Sequence, residues 1–218
     1  MLKFNEKVVS INSSGPEIII KTNKEQYRAK KIIISAGSWI NEFISSEYRQ
    51  LFTVYRQVLY WFDILTKNYF DPLRFPIFIW QLPDKKGGIY GFPAVDGPFG
   101  GVKIATHNMI TSTRPDELNR VVSKLEINNF YERFVKKYLP DLGPTCLKTA
   151  VCTYTTTRDE NFIVDYSPNN NNILIVSACS GHGFKHSAAV GRIAAQSISG
   201  TGDLAAYSCF SLARFRTG

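Results

Sequence analysis

Short apolar runs broken by glycine, proline and asparagine dominate the chain, and their patterning predicts strands more often than helices. Glu17 to Thr22 (EIIIKT) and Gln26 to Ala29, separated by Asn23-Lys24-Glu25, read as a hairpin. Lys31 to Ala36 (KIIISA) reads as a further buried strand closed by Gly37-Ser38-Trp39. Ile40 to Ser46 is then expected as a short helix capped by Ser38. Strands follow at Tyr55 to Phe62, Ile77 to Gln81, Ile89 to Phe92 and Val102 to Thr106. Turns at Gly87-Gly88 and Asp96-Gly97-Pro98 make the sheet antiparallel.

Helical spacing returns after Thr113, with Pro115 in a first turn, Asp116 and Glu117 at the positive helix end, and Leu118, Val121, Val122 and Leu125 on one buried face. A second helix is expected over Asn128 to Tyr138, stopped by Pro140. Thr149 to Thr155 and Phe162 to Asp165 read as strands, and Asn169 to Asn172 as a turn. The last stretch, Asn172 to Gly200, is the most organised. Ile173 to Val176 is an apolar strand, Ser180-Gly181-His182-Gly183 turns the chain, and a long helix follows with Phe184, Ala188, Gly191, Ala195 and Ile198 on one face. The first N–H groups of such a helix face outward with partial positive charge, and Lys185 adds a full one, so an anion or electron-rich group suits the space in front.

Composition narrows the class. The 218 residues, 44% hydrophobic and 20% charged, describe a globular chain with one large domain or two small ones. No apolar run approaches a bilayer span and Met1 to Asn5 is no signal peptide, so a cytoplasmic protein without membrane contact is expected. A net charge of +8 raises nucleic acid as a partner, but the lysines and arginines are scattered among carboxylates, with no basic stripe and no interleaved aromatics. Cys146, Cys152, Cys179 and Cys209 have no CxxC pairing or metal-ligand spacing and are expected as reduced thiols. His182 and His186 stand four apart, but His182 falls in the turn and no carboxylate completes a site, so no metal is expected. Lys103 and His107, also four apart, share one face if VKIATH is a strand. There they form either a reactive cation and proton carrier or a surface lysine beside a hydrogen-bonded histidine.

Three longer motifs occur in a fixed order: YGFPAVDGPFGGVKIATH (Tyr90 to His107), AVCTYTTTRDENFIVD (Ala150 to Asp165) and SGHGFKHSAAVG (Ser180 to Gly191). Together with KIIISAGSW they resemble the monomeric sarcosine oxidase and N-methyltryptophan oxidase family, flavoproteins that oxidise the C–N bond of secondary amino acids and release hydrogen peroxide. The resemblance implies FAD as cofactor and a small amine or amino acid as substrate. On it, Cys152 matches the cysteine bonded to the flavin 8α carbon. Lys103 matches the lysine that activates oxygen, His107 and Tyr90 match residues of the substrate cavity, and Lys185 matches the partner of the substrate carboxylate. Gly181, Gly183 and Phe184 match the turn facing the flavin ring, and Val8 matches a residue beside the adenine.

The family's opening βαβ unit with GxGxxG has no counterpart in this sequence. The fold expected is therefore α+β: an antiparallel substrate-domain sheet flanked by helices (52–158), and a partial FAD-binding domain (1–51 and 159–218) lacking the Rossmann unit. The sequence reads as the carboxyl-terminal portion of such an oxidase. Strand edges and apolar faces prepared for that unit need covering, so a homo-oligomer, aggregation or pairing with an amino-terminal fragment is expected. Activity is expected to be impaired, and a non-catalytic interaction module that keeps the fold is the alternative.

Overall fold

The computed structural model describes residues 1–66, 68–83 and 88–215. Its strands are β1 (Val8–Asn12), β2 (Ile18–Thr22), β3 (Gln26–Ala29), β4 (Ile32–Ile34), β5 (Phe52–Ile64), β6 (Phe78–Gln81), β7 (Gly88–Phe92), β8 (Val102–Thr106), β9 (Leu142–Thr157), β10 (Ile163–Ser167) and β11 (Asn170–Ser177). Its helices are α1 (Ser46–Arg49), α2 (Lys124–Phe130) and α3 (Ser187–Ser199), with shorter 3-10 or π turns between. Among these described residues no helix is long and apolar enough to cross a membrane. Gly87, of the expected Gly87-Gly88 turn, lies outside the described residues.

The chain divides into two units, Met1–Thr53 with Thr155–Gly218, and Val54–Tyr154. The fold is a mixed one of helices and largely antiparallel sheets.

In the first unit, β1-β2-β3 form an antiparallel sheet, with Ile18 opposite Ala29 and Ile20 opposite Tyr27. A second sheet has the order β10-β11-β4. Here β10 and β11 form a hairpin around Pro168-Asn169, and β11 runs parallel to β4 with Ile173, Leu174 and Ile175 opposite Ile32, Ile33 and Ile34. The two apolar runs at opposite ends of the chain thus meet as neighbouring strands, packed around Ile18, Ile34, Ile40, Ile163 and Ile175. Asn170 to Asn172 belong to β11, not to a turn: the hairpin needs only two connecting residues. Asp165 ties the carboxyl-terminal segment to β10, its Oδ2 accepting from Ser211 Oγ at 2.6 Å and Leu212 N at 2.7 Å.

The second unit is built on a five-stranded sheet of order β6-β7-β8-β5-β9. Side chains alternate between its faces. Tyr60 and Phe62 of β5, Ile89 of β7 and Val102 and Ile104 of β8 point to one face, where Phe130, Phe134 and Val135 cover them. The Tyr60 and Phe130 rings stack at 4.1 Å between centroids. Each such aromatic side chain, fully buried, is worth about 2–3 kcal/mol.

Several expected helices are displaced, each for a local reason. Residues 118–123 are not helical, Val121 and Leu125 are exposed, and only Pro115–Glu117 forms a 3-10 turn before α2. Arg56 of β5 is responsible. Its Nε donates to Asn119 O at 2.8 Å and its Nη2 to Val121 O at 3.1 Å, taking carbonyls that a helix would use, while Asn119 Oδ1 accepts from Val121 N. The helix begins only at Ser123, whose Oγ accepts from Glu126 N, and Glu126 receives Arg56 Nη1 at 2.7 Å. The helix expected over Asn128 to Tyr138 is the end of α2 running into a π turn at Tyr131–Val135. The helix expected at Ile40 to Ser46 is instead a 3-10 turn over Gly37–Glu42 followed by α1, and the Ser38 hydroxyl, a buried group, accepts from Thr155 Oγ1 at 3.2 Å in place of capping.

The buried face of α3 is also different. Val190, Ala194 and Ser197 are buried, whereas Ala188, Gly191 and Ala195 are exposed and Phe184 is 94% exposed. A 3-10 turn at Phe184–His186 precedes the regular helix, in which the larger Val190 and Ile193 meet the Phe162 and Val164 cluster. Its carboxyl end is fixed by Tyr166 Oη donating to Ser197 O and Lys31 Nζ donating to Ile198 O.

Arg56→Met is expected to lower unfolding stability by about 2–3 kcal/mol, since it leaves Glu126 and two carbonyls without their partner. Urea denaturation measures this, and hydrogen exchange should quicken over 118–126.

Candidate functional site

The face of the five-stranded sheet turned away from the aromatic core is built by the same alternation. Lys103 of β8 stands directly opposite Trp61 on β5 and Phe92 on β7, and Tyr90 of β7 stands opposite Ala105. These five residues therefore share a face. His107 continues it beyond the end of β8, its backbone N donating to Gly88 O at 3.2 Å. The expectation that Lys103 and His107 share a face holds, with Lys103 half-buried and His107 exposed.

Cys152 and Tyr154 lie two apart on β9 and project together. Tyr154 joins them to the rest: its hydroxyl is 3.1 Å from the Tyr90 hydroxyl, and its ring centroid is 5.5 Å from that of His107. Burial raises the phenol pKa of Tyr90 well above its usual value, with the Tyr154 hydrogen bond adding to it; burial raises Tyr154 as well. Both stay protonated through the neutral range, so each can donate. Burial also raises the Cys152 thiol, partly offset by the Lys103 charge. The Lys103 ammonium lies 4.6 Å from the Phe92 ring centroid and 5.7 Å from that of Trp61, and Lys148 of β9 lies 4.9 Å from the same indole. No carboxylate comes within salt-bridge distance of Lys103 among the described residues.

Tyr154, Trp61 and Phe92 are the members of this cluster that sequence reasoning did not single out. For Tyr154 a signal existed: it has the parity of Cys152 on the same strand.

The other candidates belong to the first unit. β11 ends at Ser177 and the chain turns through Ser180 and Gly181, both left-handed at φ 43° and 75°. Ser180 is not glycine and carries strain there, held by its N donating to Thr155 O at 2.9 Å. Gly183 is required for another reason: a Cβ there would lie 1.7 Å from Ala178 O. Cys179 O accepts from His182 N and Gly183 N, while the N–H groups of Gly181, Phe184 and Lys185 have no partner among the described residues. Phe184 and Lys185 are exposed at the start of the helical segment. His182 Nε2 is 3.0 Å from Glu160 O, and its ring stacks on Phe162 at 4.8 Å. Among the described residues no cluster of histidine, cysteine and carboxylate groups could hold a metal ion. The four cysteines are unpaired. Val8 lines a groove of about 350 Å³ with Ile11, Ile20, Ile33, Ala36 and Phe43.

The chain belongs to the family of FAD-dependent oxidoreductases known as DAO, whose sequence model matches residues 2–197. Among curated relatives, monomeric sarcosine oxidase of Bacillus sp. (strain B-0618) is 33% identical over 192 residues, 87% of this chain and 48% of the relative. N-methyl-L-tryptophan oxidase of Citrobacter koseri is 34% identical over 215 residues, 97% of this chain and 55% of the relative. Peroxisomal sarcosine oxidase of Homo sapiens is 34% identical over 197 residues, 88% of this chain and 50% of the relative. The chain thus spans about half the length of these relatives. Among solved structures, L-proline dehydrogenase from P. horikoshii has a TM-score of 0.71 at 19% identity, over 96% of this chain and 54% of that one. Glycine oxidase from Geobacillus kaustophilus has a TM-score of 0.68 at 19% identity, over 97% and 53%. These two likenesses establish the fold.

Gly183→Ala is expected to cost about 2–3 kcal/mol, because the new methyl group meets a backbone carbonyl. Gly181→Ala, where a left-handed φ of 75° opposes a side chain, should cost about 1 kcal/mol. Denaturant titration of both variants measures the order.

Proposed function

We propose that this chain supplies the substrate-side sheet and part of the cofactor-binding unit of an FAD-dependent oxidase of secondary amines or N-methyl amino acids. The observation that carries the reading is the gathering of Lys103, Cys152, Tyr90, Tyr154 and His107 on one sheet face. Residues 52–158 form the substrate domain in this reading, and 1–51 with 159–218 form the part of the FAD-binding domain that stands without a Rossmann βαβ unit.

The residues suit a flavin in two respects. The turn at Gly181 to Lys185 presents unpartnered N–H groups to an electron-rich edge. Cys152 is an unpaired thiol that burial keeps protonated and whose ionisation the neighbouring Lys103 charge partly restores, the side chain that attachment to the flavin 8α carbon requires. FAD, when bound, supplies the oxidation: the C–N bond loses two electrons and two protons to give an imine, and molecular oxygen leaves as hydrogen peroxide.

The chain's own groups have narrower tasks. Lys103 places a positive charge where negative charge develops as oxygen is reduced. The Tyr90 and Tyr154 hydroxyls share one hydrogen bond, which leaves one proton to donate to a substrate polar group. His107, on the exposed end of the same face, orients the amine or takes its proton. Lys185 pairs with a substrate carboxylate, Gly181, Gly183 and Phe184 face the flavin, and Val8 stands beside the adenine.

Alone, the chain is expected to bind FAD weakly and turn over little. The test therefore supplies the remaining length by co-expressing it with the amino-terminal half of the Citrobacter koseri relative, in the presence of FAD. Peroxide formation from N-methyl amino acids is expected, and Lys103→Met should lower the oxygen-dependent rate by about 10²–10³-fold with the amine-dependent step preserved. Persistent silence of a folded, flavin-containing assembly contradicts the oxidase reading and favours a non-catalytic interaction module.

A further inference from the structure

Among the described residues Lys103 has no carboxylate within salt-bridge distance. Its immediate neighbours across both flanking strands are aromatic, Phe92 on β7 and Trp61 on β5, each directly opposite it in the sheet register. Their ring centroids lie 4.6 Å and 5.7 Å from its ammonium. Among the described residues the charged or titratable groups near it on β9 are Cys152 and Lys148, the latter 4.9 Å from the centroid of the same indole, and β7 contributes the Tyr90 phenol. On β5, Asp63 lies two residues beyond Trp61 and shares its parity, but its Oδ1 accepts from Thr145 N at 3.1 Å on β9. That acid is tied to backbone, and among the described residues no ion pair joins it to Lys103.

We propose that Phe92 and Trp61 are positioning residues that bracket the Lys103 ammonium between two π faces in place of a carboxylate. The distinction matters chemically. A carboxylate would fix the lysine but cancel its charge, leaving little to offer a reacting centre. An aromatic quadrupole attracts the cation and leaves its net charge intact. The bracket thus gives the same orientation with the full positive charge available to a developing anion. Lys148, on the same indole, carries a like charge and discourages Lys103 from swinging towards β9. This extends the oxidase reading, in which Lys103 is the cation of the oxygen reaction.

The test reads the lysine directly and needs neither cofactor nor turnover. The chain is reductively methylated with 13C-formaldehyde, and the Lys103 resonance is assigned by its loss in Lys103→Arg. It is expected upfield of the free dimethyl-lysine position through the ring currents of the bracket. Phe92→Leu should remove most of that displacement, and Phe92→Tyr should restore it. Trp61→Leu should move both Lys103 and Lys148, whereas Phe92→Leu moves Lys103 alone. A wild-type resonance at the free-lysine position overturns the proposal whether or not a variant folds, as does one that neither substitution moves. In the flavin-loaded assembly, Phe92→Leu should lower the oxygen-dependent rate about fivefold and Phe92→Tyr should recover it. An unchanged rate there overturns the positioning role. Failure of the oxidase reading itself would appear as wild-type silence alongside an intact upfield resonance.

Discussion

The two-residue period of a β-strand is the constraint on which the second unit depends. Val102 and Ile104 on β8 enter the aromatic core, so Lys103 and Ala105 must emerge on the other face, and register with β5 and β7 decides what they meet. A slip by one residue would exchange the two sets, burying a lysine among phenylalanines and exposing two aliphatic side chains. The Tyr60–Phe130 stack and its neighbours resist that exchange by several kcal/mol. Packing on one face therefore fixes chemistry on the other, and the cationic and phenolic groups need no separate scaffold.

The first unit solves a different problem, turning a buried strand sharply into a helix. Ser180 and Gly181 take left-handed backbone, and Gly183 passes against Ala178 O. The result is that the N–H groups of Gly181, Phe184 and Lys185 have no partner among the described residues, a feature costly in a buried turn but useful when an electron-rich ligand completes it. Beyond the helix, Asp165 and Asp159 hold the carboxyl-terminal segment. Asp159 pairs with Arg214 at 2.7 Å, and that guanidinium keeps the carboxyl well below its usual range. Its contribution is present above the ordinary aspartate pKa and is lost as the pH falls through the depressed one.

Much of this was legible in the sequence because strands bounded by turn residues announce themselves locally. The β2–β3 hairpin, β7, β8 and the β11-turn-α3 order follow from EIIIKT, IYGF, VKIAT and SGHG. Helix faces were not legible. Leu118, Val121, Val122 and Leu125 have helical spacing, yet Arg56, some sixty residues earlier in the chain, takes the carbonyls that helix would need. The stripe through Phe184, Ala188 and Gly191 is likewise exposed, because α3 buries the bulkier Val190 with Ala194 and Ser197 instead. For the candidate site, Lys103 with His107 could be inferred from parity. Trp61 and Phe92 could not, since only the register across three strands brings them beside Lys103.

Covalent attachment tests the central claim most directly, because it requires the thiol, the cation and the flavin edge to meet. An assembly of this chain with the amino-terminal half of a relative, loaded with FAD, is precipitated in acid, digested with trypsin and analysed by mass spectrometry. The account predicts a flavin adduct on the peptide from Thr149 to Arg158, carried by Cys152 and absent in Cys152→Ser. Flavin retained on Cys146, Cys179 or Cys209 instead, or an active assembly that releases all its flavin into acid, would contradict it.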